Sequence, residues 1–255
     1  MLNIKITNRQ KLPLDYQNLI LKTTPLSFEQ GDIVFVSGSI LKTEFLHFLA
    51  GIKTIKGLSL EYKNVDCFLC NKSYQSRGRL FVEGLDICKG TERFNLTNVK
   101  NDVIRFKEFF FKNKNNKNSF TNLLYTPQIL KLNYNKTLWQ NIEAFAKLAK
   151  QPEMCYPIVY YFNLEDCIEL KLKDILQNKD LQHKIPLISI SIAMAFSQID
   201  LWILNLSKDI LDNQDNLRIT KNLITARAED SDGIVFYSTP SNEPIEFAKQ
   251  KIIYI

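Results

Sequence analysis

Residues 31–51 read Gly31-Asp-Ile-Val-Phe-Val-Ser-Gly-Ser-Ile-Leu-Lys-Thr-Glu-Phe-Leu-His-Phe-Leu-Ala-Gly51. The run 33–36 is apolar, rich in valine and isoleucine, and followed by Ser-Gly, which predicts a short buried strand and a turn. Large apolar residues then recur at helical spacing, which predicts a helix over residues 43–52 that is closed by Gly51. A strand, a turn and a helix in this order are the building unit of an α/β fold.

The turn of this unit carries Lys42-Thr43, the dipeptide that ends a phosphate-binding loop of the pattern G-x-x-x-x-G-K-[ST]. The two glycine positions of that pattern hold Val36 and Leu41, although close approach of the backbone to a phosphate favours glycine there. The candidates for a relic phosphate site are Ser37, Gly38, Ser39, Lys42 and Thr43. In the alternative reading, Lys42 is a surface lysine and Thr43 caps the helix.

Further strands and helices are predicted along the chain. Short apolar runs at 201–204 and 233–237 predict buried strands, and the stripes in 138–150 and 213–228 predict amphipathic helices. Residues 247–255 end apolar and predict an edge strand. This alternation predicts βαβ units in a mainly parallel sheet and one domain over residues 1–255. Between 64 and 122 the pattern breaks down into a Lys/Asn tract, which predicts an insertion with a flexible tip.

Composition narrows the function classes only a little. The net charge of +6 suits an anionic membrane surface, an acidic partner or nucleic acid, and it selects none of them. Five cysteines, an odd number at low density, favour a reducing compartment over a disulfide framework. Cys67-x-x-Cys70 has no second close pair of metal ligands, so no metal site is predicted.

No membrane-spanning or secretory segment is predicted. The N-terminus lacks a long apolar core and a cleavage pattern of small residues. Residues 185–206 are interrupted by Pro186, Gln198 and Asp200, and the uninterrupted part is too short for a bilayer of about 30 Å. We therefore predict a buried helix followed by a buried strand there.

Several segments fall in the order of the nucleotide elements of an ABC-transporter ATPase. After the Lys42-Thr43 turn come Leu124-Tyr-Thr-Pro-Gln128, which resembles the Q-loop strand of that family, and Lys136-Thr-Leu-Trp-Gln-Asn-Ile142. Asp200-Leu-Trp-Ile-Leu-Asn-Leu206 then resembles the Walker B strand, and Gly233-Ile-Val-Phe-Tyr-Ser-Thr-Pro240 resembles the strand before the switch histidine. Within the superfamily, the chain is most similar to the ATP-binding subunit of the haem exporter of cytochrome c maturation, CcmA.

The resemblance implies a site in which most reactive groups have been replaced. Thr43 survives as a Mg²⁺ ligand and Gln128 as the Q-loop glutamine, but the Walker B aspartate position holds Asn205. Leu206 stands at the position of the catalytic glutamate, and Pro240 at that of the switch histidine.

Three further segments acquire a role from the resemblance. The signature segment aligns with residues 181–185 and keeps only its leucine. Tyr16 corresponds to the aromatic residue that stacks on adenine, with core packing as the alternative. His183 is either a haem ligand or, with no second axial ligand nearby, a solvent-facing histidine. Residues 129–186 correspond to the helical subdomain that receives a coupling helix.

The sequence thus predicts a P-loop NTPase-like fold and a degenerate ATP-binding subunit of a haem-exporter-like complex, with weak or no hydrolysis. ATP and Mg²⁺ are the implied cofactors, CcmB- or CcmC-like transmembrane subunits or a second copy the implied partners, and no nucleic acid is expected. The expected location is the inner face of a membrane, either the matrix side of the mitochondrial inner membrane or a bacterial cytoplasmic membrane. Two alternatives stay open: an active ATPase that takes its carboxylate from Asp209 or Asp212, and a structural subunit of another organellar membrane assembly.

Overall fold

The computed structural model describes residues 2–14, 16, 26–38, 41–50, 55–62, 65–67, 81–82, 85–86, 105–111, 119–126, 132–148, 151–191, 194, 200–229 and 233–255. The strands are β1 Leu2–Ile6, β2 Ser27–Phe28, β3 Ile33–Ser37, β4 Leu58–Tyr62, β5 Val65–Cys67, β6 Phe81–Val82, β7 Leu85–Asp86, β8 Arg105–Phe111, β9 Ser119–Thr126, β10 Leu201–Asn205, β11 Ile234–Ser238 and β12 Lys251–Tyr254. The α-helices are α1 Leu41–Leu49, α2 Leu138–Leu148, α3 Cys155–Tyr161, α4 Leu172–Gln177, α5 Ile185–Ser191, α6 Lys208–Asp212 and α7 Gln214–Glu229.

A six-stranded sheet in the order β12-β3-β11-β10-β9-β8 forms the centre of the fold. The pairs from β12 to β9 are all parallel, and β8 joins the far edge antiparallel to β9. The sheet is thus mainly parallel, as the sequence predicts. β12 lies at the opposite edge beside β3, which agrees with the edge strand predicted for residues 247–255.

Alternate residues of the central strands face two different cores, because successive side chains of a strand point to opposite faces of the sheet. Phe35, Trp202 and Tyr237 pack on one face, together with side chains from the helices between residues 138 and 191 and from α7. Val36 and Phe236 pack on the other face, against α1 and the strands β1 and β4. Burial on both faces explains why these strands read as unbroken apolar runs.

A second sheet, antiparallel and in the order β2-β1-β4-β5, covers the face that carries α1. Leu2, Ile4, Leu58 and Leu60 fill the interface from this side and are nearly inaccessible to solvent. This sheet could not be predicted from the sequence, because its strands of two to five residues are too short to show a clear alternation of apolar and polar residues.

Two expectations for residues 64–122 have different outcomes. No strands were predicted there, whereas the structure contains the hairpin of β8 and β9 that extends the central sheet. The many charged residues around 100–117 obscured this pattern, and pairing with β9 orders the strand regardless of its composition. The Lys/Asn tract at 112–118 lies outside the described residues, as do Cys70 and Cys88. Among the described residues, no helix is long and apolar enough to cross a membrane.

Candidate functional site

The carboxyl ends of the parallel strands meet at one edge of the central sheet. β3, β11, β10 and β9 end there at Ser37, Ser238, Asn205 and Thr126, which are all polar residues. In open α/β sheets, this edge is where ligands bind. The four strands therefore end in polar residues at the edge of the sheet where ligands bind in folds of this class.

Lys42 lies at this edge, in the second position of α1. Its neighbour Thr43 is inside the first turn of the helix, so it is not the residue that caps the helix. Ser37 and Gly38 immediately follow the buried part of β3, and Ser39 lies outside the described residues. The structure thus places Ser37 and Gly38 at the carboxyl end of β3 and Lys42 and Thr43 in the first turn of α1.

The ammonium of Lys42 is bound by the loop that follows β11. Lys42 Nζ donates hydrogen bonds to the backbone oxygens of Thr239 at 2.5 Å and Pro240 at 3.3 Å, and to Asn242 Oδ1 at 2.7 Å. Partial burial lowers the pKa of Lys42. All three acceptors are neutral groups of the protein, and they satisfy the ammonium of Lys42.

Gly38 is the glycine of the turn, and its position requires one. Its φ is +152°, and a Cβ there would approach the backbone oxygen of Ile255 to 2.4 Å. The N–H of Ile255, the residue after β12, donates to the backbone oxygen of Ser37 at 2.9 Å. This hydrogen bond holds the backbone of Ile255 against Gly38. The N–H of Gly38 donates to Asn242 Oδ1 at 3.3 Å.

A polar network surrounds Asn205, the residue that the resemblance aligns with the Walker B aspartate. Ser238 Oγ donates to Asn205 Oδ1 at 3.1 Å. The side chain of Tyr125 also hydrogen-bonds that of Asn205, and its Oη lies 3.1 Å from His47 Nε2. Burial raises the pKa of Tyr125 well above its usual value, and its hydrogen bond with Asn205 opposes that rise. None of these four groups brings a carboxylate, the ligand that Mg²⁺ favours at such a position.

Leu206 and Pro240, which the resemblance aligns with the catalytic glutamate and the switch histidine, carry no reactive side-chain group. Leu206 is 1% exposed in the apolar core, and its N–H donates to the oxygen of Ser238. Pro240 is exposed and contributes only a backbone oxygen, which accepts from Lys42. A general base and a γ-phosphate sensor are both missing from the positions where the resemblance would put them.

The segment at the signature position is tied to its own helices. Lys184 Nζ donates to Asp166 Oδ1 at 2.5 Å and to the oxygen of Asn163 at 2.7 Å. The hydrogen bond from Lys184 lowers the pKa of Asp166. His183 is exposed, its backbone oxygen accepts from Asn216, and the described residues contain no metal-binding cluster. Lys184 therefore occupies a position where the signature would present small donors to a partner's nucleotide.

Tyr16, for which the resemblance implies adenine stacking and core packing is the alternative, lies in the core. Tyr16 is 1% exposed and packs with Phe28 and Leu12 in the core beneath the antiparallel sheet. This burial favours the alternative of core packing, and adenine stacking stays a prediction. Gln128 lies outside the described residues.

Asp209 and Asp212, the carboxylates of the active-ATPase alternative, are exposed on α6. They line a groove of about 500 Å³ together with His183 and Pro186. Asp212 also borders a groove of about 750 Å³ that includes Pro240 and Glu243. Neither carboxylate is among the groups to which Lys42 donates.

Sequence reasoning missed Asn242 and the pair His47 and Tyr125. Asn242 stands in a polar turn, Ser-Asn-Glu-Pro, that reads as an ordinary loop. The sequence offers one signal for His47. Its spacing of four residues from Thr43 places both residues on the same face of α1, one turn apart.

Comparison with known proteins identifies the fold. No protein-family model and no curated protein sequence matches the chain. Solved structures do match. The ATP-binding cassette MJ0796, a post-hydrolysis dimer bound to ADP and phosphate, has a TM-score of 0.55 at 12% identity, over 94% of this chain and 88% of its own.

Two further solved structures agree. An inward-facing transporter described as of the metal-chelate ABC type gives a TM-score of 0.51 at 13% identity, over 94% of this chain and 74% of its own. A Pyrococcus furiosus protein described as the ATP-binding protein of an ABC transporter gives 0.52 at 12% identity, over 89% and 85%. The chain therefore has the P-loop NTPase-like α/β fold of an ABC-transporter ATP-binding cassette, as the sequence predicts.

Proposed function

We propose that this chain is a degenerate ATP-binding subunit of an ABC-type membrane complex, with weak nucleotide binding and little or no hydrolysis. The observation that carries this proposal is the pairing of a retained Lys42, at the start of α1, with neutral residues at three described positions of the same edge, Asn205, Leu206 and Pro240. Retention of the lysine favours a relic phosphate site, and loss of the other groups argues against turnover.

The missing groups act at different steps of hydrolysis. Asn205 offers Mg²⁺ a neutral amide in place of a carboxylate, and Leu206 cannot accept a proton from water. The loss of a general base alone costs about 10²–10⁴ in rate. Asn205 and Leu206 adjoin each other at the end of β10, whereas Pro240, at the switch position that the resemblance implies, follows β11. One local rearrangement would therefore not restore activity.

At the finer level, we propose a role in a haem-exporter-like complex of cytochrome c maturation. The support is the order of the segments around 200–206 and 233–240 and their residue pattern, which resembles that of the haem-exporter subunit. In such a complex the chain would lie on the inner face of a mitochondrial or bacterial membrane and pack against CcmB- or CcmC-like subunits. The dimeric state of MJ0796 supports a second copy as a further partner.

ATP binding is expected to depend on Lys42. A charge-assisted hydrogen bond to phosphate contributes about 1.5–3 kcal/mol, so Lys42→Ala should weaken ATP binding about 10- to 100-fold in isothermal titration calorimetry. Lys249→Ala is the matched control, because Lys249 is an exposed lysine whose removal changes the net charge equally. Equal affinities of the two variants would show that the site is not a phosphate site, and no binding by the parent at millimolar ATP would leave a purely structural role.

Purification from native membranes tests the proposed complex. We expect the full-length chain to co-purify with a polytopic membrane subunit of the CcmB or CcmC type, identified by mass spectrometry after mild detergent extraction. Recovery of ribosomal RNA or of oxidase subunits in place of such a protein would favour the alternative of a structural subunit in another assembly.

A further inference from the structure

The loop of residues 239–245, which follows β11, is fixed by hydrogen bonds at both ends. Thr239 Oγ1 donates to the oxygen of Glu243 at 2.8 Å. Tyr237 Oη accepts from the N–H of Ile245 at 3.0 Å and is within 3.0 Å of the oxygen of the same residue. The loop is therefore held over the edge of the sheet without help from a ligand.

Asn242, at the tip of this loop, has a left-handed backbone with φ of +61°. Among the described residues other than glycine, Asn163 alone shares a positive φ. Asparagine tolerates this conformation better than most residues do, and glycine tolerates it best. The conformation directs the side chain of Asn242 towards the turn after β3, where its Oδ1 meets Gly38 and Lys42.

Two donors of the phosphate-loop segment converge on this one oxygen. Asn242 Oδ1 accepts from the backbone N–H of Gly38 at 3.3 Å and from the ammonium of Lys42 at 2.7 Å. In a phosphate loop, backbone N–H groups and the lysine ammonium are the donors that hold the phosphate oxygens. The amide oxygen of Asn242 thus makes the contacts that a phosphate oxygen would make.

We propose that Asn242 is a built-in occupant of the phosphate position, so that the loop 239–245 closes the site against nucleotides. The predicted effect on nucleotide affinity rests on the proposed function, whereas the contacts of Asn242 with Gly38 and Lys42 do not depend on it. A phosphate can reach Lys42 only after the amide oxygen and the oxygens of Thr239 and Pro240 release the ammonium. The apparent affinity for a nucleotide is then the intrinsic affinity reduced by the fraction of molecules in which the loop is open.

Two substitutions at residue 242 should change nucleotide affinity in opposite directions. Asn242→Gly removes the oxygen and keeps a residue that accepts the left-handed backbone, so we expect ATP and inorganic tripolyphosphate to bind about tenfold more tightly than to the parent. Asn242→Asp adds a carboxylate beside Lys42, which strengthens the closure and repels phosphate. Binding to Asn242→Asp should therefore be weaker than to the parent in calorimetry at low salt.

The reactivity of Lys42 provides a readout that needs no nucleotide. Reductive methylation followed by peptide mass spectrometry should modify Lys42 several-fold faster in Asn242→Gly than in the parent, with exposed Lys249 unchanged as the internal reference. Faster modification without ATP binding in any variant would support the closure and contradict the proposed nucleotide function. Unchanged modification of Lys42, or measurable ATP binding with the same affinity in the parent and both variants, would overturn the closure.

Discussion

Leu206→Glu is expected to destabilise the fold and not to create an ATPase. Leu206 is 1% exposed within the apolar core, so the introduced carboxyl group would lie among hydrocarbon side chains. A buried polar group without a partner costs about 1–3 kcal/mol and an ionised one more, to which the lost packing of leucine adds. We expect a loss of about 3 kcal/mol or more in the free energy of unfolding at pH 8, measured by urea denaturation.

The penalty of Leu206→Glu should depend on pH in a defined direction. Burial raises the folded-state pKa of the introduced carboxyl above its unfolded value of about 4.3. The folded state then binds the proton more tightly, so the penalty grows as pH rises from about 4 through the folded-state pKa. Leu206→Met, which conserves volume and adds no charge, should cost less than about 1.5 kcal/mol at any pH. A stable Leu206→Glu protein that hydrolyses ATP would show that residue 206 faces the nucleotide.

Trp202→Ala is expected to cost about 3–5 kcal/mol, because it removes the largest buried side chain at the centre of the sheet. Trp202 is 1% exposed on β10, between β9 and β11, and its Nε1 donates to Thr126 Oγ1 at 3.0 Å. The variant would leave a cavity and also an unpaired hydroxyl group at the end of β9. Circular dichroism during urea unfolding should show a large decrease of the midpoint.

The second tryptophan provides the matched control. Trp139 is only partly buried on α2 and packs on the exposed Tyr156, with ring centroids 4.8 Å apart. We expect Trp139→Ala to cost well under half as much as Trp202→Ala, because less apolar surface returns to water. Equal costs for the two variants would contradict the two-faced core around β10.

The central sheet could be predicted from the sequence because its strands are buried on both faces. The runs 33–36, 201–204 and 233–237 are continuous and apolar, and each lies within one residue of an observed strand. The helices predicted over 138–150 and 213–228 correspond to α2 and α7. The antiparallel sheet escaped prediction because its strands are short and β1 pairs with β4, which lies far away in the sequence. β8 escaped prediction because its surroundings are highly charged, although its partner β9 is the next strand along the chain.

The candidate site could be predicted only in part. Lys42 was found because its spacing from the strand is a local property of the sequence. Its partner Thr239 is 197 residues away, and no local pattern shows that the loop after β11 reaches it. The burial of Tyr16 could not be predicted for a related reason, since whether an aromatic ring is enclosed is decided by the strands that fold over it.

The order of the central sheet also bears on how the protein folds during its synthesis. β3 pairs with β11 and β12 and with no other described strand. Its backbone N–H and C=O groups therefore have no strand to pair with until the ribosome has made residues 234–238 and 251–254. At about 5–20 residues per second, a ribosome leaves β3 without those partners for roughly 10–40 seconds. During that interval an apolar strand with open edges is a target for aggregation, and we expect a nascent chain of this protein to depend on chaperones that cover residues 33–37.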